Sequence, residues 1–232
     1  MIISGFNPIL ESIKAGKATR LFLKKGVKFK DEICSNSITK IYLEAVVFDR
    51  KFGTNHGGFA ADVDIDYKTL KNIDTNVHNL LVLDHIQDPQ NFGTILRAAH
   101  CFNFNNIVVA KDNQVKITDT VIRASSGAIM HMDIYEVVNI ARTIDLLKKS
   151  NFTVYIADPR GDINIGSTDI SDKTIIVVGS EGKGVRENIL KRADYKISIP
   201  MASKIDSLNV SHSAAIILYE FYKKFTTVSQ NH

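Results

Sequence analysis

The chain has 232 residues, 44% of them apolar and 23% charged. These proportions exclude a mainly disordered or collagen-like chain. The net charge of +4 is mildly basic, well short of a histone-like tail, and no apolar run approaches the roughly 20 residues that cross a bilayer. Cys34 and Cys101 are too few and too far apart for a disulfide framework or a zinc knuckle, so free thiols in a reducing cytoplasm are expected. The opening MIISGFNPILESIKAGK carries Glu11 and lacks a basic segment followed by a long apolar one. It does not read as a signal peptide.

Charge is unevenly spread. Residues 1–30 hold seven lysines and arginines against Glu11 alone, and Asp62, Asp64, Asp66 and Asp74 answer in the stretch 61–74. A basic lobe of this kind attracts phosphate chains, although a solvated lysine face has the same composition.

The first region reads as a small αβαβ unit of about 65 residues, near the lower limit for independent folding. Asn7 is placed to cap a helix over Pro8–Ala15 that Gly16 stops. Arg20–Leu23 reads as a strand and Lys30–Cys34 as a second helix. Thr39–Val47 has strand-like alternation, as does Gly58–Ile65. The polar stretch Asp66–Asn79 reads as a linker. The expected division is 1–66, a linker over 67–78, and a second region over 79–232.

The second region alternates short apolar strands with helices. Strands are expected at Leu80–Asp84, Ile107–Ala110, Thr153–Ala157, Ile175–Val178 and Tyr195–Ile199. Helices are expected at Phe92–Cys101, capped by Asn91, and at Thr118–Ile129, Ile140–Lys149, Arg186–Arg192 and about Ser207–Phe225. Such a pattern calls for a parallel sheet covered on both faces. Ligands of these sheets sit beyond the carboxyl ends of the strands, which points to the loops after Asp84, Ala157, Val178 and Ile199.

Three of these loops carry unusual residues. In DPQNFGTILR, Asn91 opens a helix and Arg97 follows nearly two turns on, toward the same side. In VGSEGKGV, three glycines follow a buried strand. The P-loop spacing is not met, and Lys183 precedes Gly184 rather than Ser or Thr. Glu181 in mid-loop disfavours an anionic ligand and prefers a cationic or neutral one. In IPMASKIDSLNVS, Ser207 can cap the last helix, and Asn209 is an unusual polar residue beside an apolar helix unless its amide has a partner. The seven histidines show no metal-ligand spacing, and Ser211-His212-Ser213 lacks the hydrolase nucleophile elbow. Phe102, Phe104, Phe221, Tyr222 and Phe225 read as core or dimer-face aromatics.

Taken together and in this order, NFGTILR, VVGSEGKG and IPMASKIDSLNVS resemble the three signature motifs of the SpoU (TrmH-like) RNA ribose 2′-O-methyltransferases of the SPOUT class. The likeness covers essentially residues 78–232. GFNPILESIKAG and NHGGFAADV are more loosely similar to the N-terminal domain of the large-subunit ribosomal RNA guanosine 2′-O-methyltransferases in this family. His56-Gly57-Gly58 stands where that family often has His-Gln-Gly.

The resemblance implies an α/β fold with a parallel sheet and a C-terminal trefoil knot, preceded by a small α/β ribosomal-protein-type RNA-binding domain. It implies S-adenosylmethionine as cofactor, held around Gly179, Ile199 and Leu208, and no metal. It implies a homodimer, no membrane partner, and methyl transfer to RNA, with ribosomal RNA favoured by the extra N-terminal domain. Asn91, Arg97, Glu181, Ser207 and Asn209 match the family's catalytic positions. Arginine is a poor base, so Arg97 either loses its proton under the influence of its surroundings or stays charged and grips a phosphate. The rival expectations are the same chemistry on transfer RNA, a non-catalytic RNA-binding protein, and an ATP- or NAD-dependent α/β enzyme.

Overall fold

The computed structural model describes residues 1–27, 38–53, 56–69, 71, 73–202 and 208–229. The helix expected at Lys30–Cys34 and the cap Ser207 lie outside the described residues.

The N-terminal region runs β1 (Ile2–Ser4), α1 (Phe6–Lys14), β2 (Ala18–Lys24), β3 (Thr39–Leu43), α2 (Ala45–Phe52) and β4 (Phe59–Val63). These strands form a four-stranded sheet in the order β1-β4-β2-β3. β4 is antiparallel to both neighbours, and β2 and β3 are parallel. Two expectations are corrected here. Asn7 lies inside α1, whose N-cap is Gly5 and has no side-chain cap. Residues 45–47 begin a helix rather than ending a strand. Their apolar run reads equally well at either period, and Phe48 decides it by packing into a small core with Phe22 and Ala60.

The C-terminal region runs β5 (Asn79–Asp84), α3 (Pro89–Cys101), β6 (Asn106–Ala110), α4 (Asp119–Ala124), β7 (Asp133–Val137), α5 (Ile140–Lys148), β8 (Thr153–Ala157), β9 (Ile163–Asn164), β10 (Thr174–Gly179), α6 (Glu187–Leu190), β11 (Tyr195–Ser198) and α7 (Val210–Ser229). Its seven strands form one sheet in the order β7-β6-β5-β10-β8-β11-β9. Every pairing is parallel. The expectation of a parallel α/β sheet therefore holds. β7 and β9 were not anticipated: the alternation of Asp133–Val137 follows a segment read as helix, and Ile163–Asn164 is too short to show a period.

The helix expected over Thr118–Ile129 is broken. Ser126 and Gly127 both adopt positive φ, 53° and 85°. α4 therefore stops at Ala124, and a short 3-10 turn follows at Ala128–His131. In α3 the cap is one turn earlier than expected: Asp88 Oδ1 accepts from the Asn91 N–H at 2.7 Å. Pro89 at the first helical position needs no hydrogen-bond partner for its nitrogen. Asn91 is thereby released from capping, and its side chain is free for other work.

The central strands are buried along their length, with Leu80–Leu83 and Ile175–Val177 fully enclosed. Each such side chain contributes about 1.5–3 kcal/mol by burial. One apolar cluster runs through both regions, joining Ile3, Ile9 and Leu21 to Phe92, Val121 and Met130. Residues 67 and 68, in the stretch read as linker, lie against β7: Lys68 N–H donates to Ile134 O at 2.7 Å, and the Ile117 N–H donates to the Tyr67 hydroxyl at 2.9 Å.

Candidate active site

The carboxyl ends of β5, β8, β10 and β11 meet at one edge of the large sheet. There Gly179 pairs in register with Asp84. Beyond Gly179 the chain doubles back: Ser180 and Gly184 exchange backbone hydrogen bonds at 3.1 and 2.9 Å. A β-carbon on Gly179 would fall on the backbone of Gly184 and Val185, so the returning loop requires glycine there. Gly182 and Gly184 make the turn with φ of 78° and 65°.

Beneath this loop lies a cavity of about 390 Å³. Gly179, Ile199 and Leu208 all line it, together with Val178, Met201 and Ile217. A second cavity of about 500 Å³ is lined by His85, Asp88, Asn91, Asn113 and Lys183, among others. Glu181 lines both.

Three side chains from separate loops join beside these cavities. Asn209 Nδ2 donates to Asn91 Oδ1 and to Glu181 Oε1, each at 3.1 Å. Asn91 Nδ2 donates to the other oxygen, Glu181 Oε2, at 3.3 Å. Asn209 Oδ1 accepts from the Ser211 N–H at 2.9 Å and from the Ser211 hydroxyl at 2.6 Å, capping α7. Asn209 thus caps the helix, the role expected of Ser207, while tying two distant motifs together. Glu181 thus accepts from the side chains of both Asn91 and Asn209.

Arg97 is exposed on α3 and lines neither cavity. The expectation that it shares a side with Asn91 is realised only as a common helix, because six residues advance the helix by 600°, well past a return to the starting face. Gly93, between them, packs α3 onto α4: a β-carbon there would meet Val121 O at 2.7 Å.

Sequence reasoning missed one pair. Asp84, fully buried at the end of β5, accepts from the Arg186 backbone N–H at 3.0 Å and from its Nε at 2.9 Å, with an ion pair to Nη2 at 2.8 Å. This clamps the far end of the glycine loop to the centre of the sheet. An aspartate closing an otherwise apolar strand was the available signal, but its partner lies 102 residues away.

Comparison with known proteins follows the same lines. The sequence profile of the SpoU rRNA Methylase family matches residues 78–219. An uncharacterized tRNA/rRNA methyltransferase of Borreliella burgdorferi is 38% identical over 184 residues, covering 73% of this chain and 80% of its own. A Staphylococcus aureus protein assigned to the TrmH family of tRNA/rRNA methyltransferases is 31% identical over 238 residues, with 96% of each chain covered. The fold matches the crystal structure of the SpoU methyltransferase AviRb from Streptomyces viridochromogenes, solved with AdoMet, at a TM-score of 0.84 and 20% identity, over 97% of this chain and 90% of that one. With its profile match spanning more than half the chain and its three motifs meeting at one edge of the sheet, the chain belongs to the SpoU rRNA Methylase family.

Proposed function

We propose that the chain transfers a methyl group from S-adenosylmethionine to a ribose 2′-hydroxyl of RNA, with a guanosine of large-subunit ribosomal RNA as its target. The observation that carries the reading is the joining of Asn91, Glu181 and Asn209 between two cavities. One cavity suits a nucleoside cofactor and the other a nucleotide of the substrate, both within the usual size of such sites.

The residues present fit the cofactor. Gly179 lets the returning backbone of Gly184 and Val185 pass close beside the cavity they line, Ile199 and Leu208 offer apolar contact, and Glu181 supplies a carboxylate toward a cationic ligand. Gly179, Ile199 and Leu208 would hold it. When bound, it supplies a methyl carbon on a sulfonium, whose leaving group is neutral. No general acid is then needed, and the chain's own task is to place the hydroxyl and manage one proton.

Asn91 and Asn209 orient the nucleotide from the rigid starts of α3 and α7, with Glu181 fixing both amides. Arg97, exposed on α3, stays charged and grips a phosphate of the RNA, stabilising charge that develops on the ribose oxygen. Ser207 completes the set as a hydroxyl beside Asn209 in sequence. The functional units are residues 1–66 for RNA binding, the connector 67–78, and the catalytic unit 79–232 with its knot. The basic balance of residues 1–30 supports RNA binding. A homodimer is supported by the exposed apolar residues Ile216, Tyr219 and Tyr222 on α7. A cytoplasmic setting accords with the substrate, and among the described residues no helix is long and apolar enough to cross a membrane.

The test is to incubate the protein with a labelled methyl donor and whole cellular RNA and map alkali-resistant linkages. Label at a guanosine of large-subunit RNA is expected. Label in transfer RNA would move the target, and absence of ribose label would refute the chemistry.

A further inference from the structure

We propose that Asp158 recognises the ribose hydroxyls of S-adenosylmethionine, an inference that rests on the methyl-transfer reading above. Of the four strand-end loops, the one after Ala157 is the loop that the three motifs leave unused. Asp158 opens it and lines the first cavity together with Gly179 and Ile199. β8 stands between β10 and β11 in the sheet. Asp158 therefore emerges between the strand that feeds the glycine loop and the strand that leads to Ile199.

Its turn is tightly held. Pro159 disfavours a helical backbone at Asp158. The Asp158 N–H donates to Ile197 O at 3.0 Å, and the Asp158 carbonyl accepts from the Gly161 N–H at 2.9 Å. Asp158 Oδ1 accepts from the Arg160 N–H at 2.9 Å. A β-carbon on Gly161 would stand 2.7 Å from Lys196 O, so the turn needs glycine there to lie against β11. The Asp158 side chain is only 10% exposed. Among the described residues its second oxygen, Oδ2, has no hydrogen-bond partner. An enclosed carboxylate oxygen of this kind is stabilised by any ligand that donates to it.

The charges around the cavity narrow the donor. Its charged lining is Asp158, Arg160, Glu181 and Lys183. Glu181 has one oxygen committed to Asn91 and both to the amide pair as a whole. Asp158 is the carboxylate with an oxygen still to be paired. Arg160 Nε lies 3.5 Å from Asp158 Oδ1, so a cation already stands beside this carboxylate. A further ammonium gains little there, whereas neutral hydroxyls gain charge-assisted hydrogen bonds without repulsion from the guanidinium. Acids just past a parallel strand read ribose hydroxyls in the same way in other nucleotide-binding sheets. The chemistry selected is a ribonucleoside over its deoxy counterpart.

The test is calorimetric titration of the full chain with S-adenosylmethionine and with its 2′-deoxyribose form, which needs neither RNA nor turnover. The wild type should bind the deoxy form about tenfold more weakly. Asp158→Asn keeps the oxygen that accepts from the Arg160 N–H, and with it the turn, but puts an amide nitrogen in place of the free acceptor. That variant should bind S-adenosylmethionine about tenfold more weakly than the wild type, and its two affinities should agree within about threefold. Equal binding of the two forms by the wild type would overturn the inference, whatever the folding of the variant. So would a variant that weakens both forms by the same factor, because the carboxylate would then face another part of the ligand. A wild type that binds neither form would instead remove the methyl-transfer reading on which the inference depends.

Discussion

β5 and β10 are enclosed on both faces, and their one carboxylate, the fully buried Asp84, stands at the carboxyl edge in register with Gly179. β3, at the edge of the small sheet, exposes Tyr42, and the ion pairs around it, Lys24–Asp49 at 2.9 Å and Lys25–Glu44 at 2.5 Å, are partly exposed. Around β5 and β10 the buried Asp84 meets Arg186 from 102 residues away, and Asn91, Glu181 and Asn209 meet from three separate motifs. Around β3 the charged pairs face water. The lesson is that polar groups from distant motifs meet where burial leaves them little water, while the charged pairs at the edge of the small sheet stay in solvent.

The comparison sharpens first at Asn209. Replacing it with alanine removes the tie between Asn91 and Glu181 and the cap of α7 together. Methyl transfer is expected to fall about 100-fold or more, with a stability loss of about 1 kcal/mol from the missing cap. Both are readable by labelled-donor kinetics and chemical denaturation. A transfer rate near wild type would show that the network is structural only.

Arg186→Ala leaves Asp84 buried with one backbone donor in place of a bidentate partner. The expected cost is about 2–3 kcal/mol by denaturant unfolding. No exposed pair of the small sheet should cost more than about 1 kcal/mol when broken. Equal losses in the two regions would erase the contrast.

The seam between the regions is more sensitive than either surface. Gly127 has a φ of 85°, and a β-carbon there would stand 2.9 Å from Glu11 Cβ and 3.0 Å from Pro8 Cα. Gly127→Ala should therefore strain the turn and push α1 away, at about 1–3 kcal/mol. Thermal unfolding that separates into two transitions would show that the seam had opened.

The smallest effect belongs to Glu11. Burial raises its pKa, but the hydrogen bonds and charges of Lys14 and His131 outweigh this and hold it below the ordinary 4.5. His131 Nε2 is 2.8 Å away across the seam. A depressed carboxylate stabilises the folded state above its ordinary value, and that contribution disappears as the pH falls through the folded value. Glu11→Gln should cost under about 1 kcal/mol at pH 7. The difference from wild type should vanish in acid below pH 4.5, as pH-dependent denaturation can check.

The alternation of apolar strands and helices made the parallel sheet legible, and the three motifs made Asn91, Glu181 and Asn209 legible as one site. Local spacing did not reveal which side chains would meet. Asn91 looked like a cap because it stands at the start of a helical period, yet Asp88 caps one turn earlier. The break at Ser126 and Gly127 was invisible because Val121, Ile122 and Ile129 keep an apolar pattern across it. It is decided by contact with α1, more than a hundred residues away in sequence. The Asp84–Arg186 clamp escaped notice for the same reason.

The central claim is that the loop after β10 shapes a pocket for a cationic nucleoside, and calorimetric titration with S-adenosylmethionine tests it most directly. The wild-type chain should bind it, and Gly179→Ala, whose β-carbon falls on the returning backbone of Gly184 and Val185, should bind it at least tenfold more weakly while remaining folded by circular dichroism. No binding by the wild type, or equal binding by the two proteins, would contradict the account.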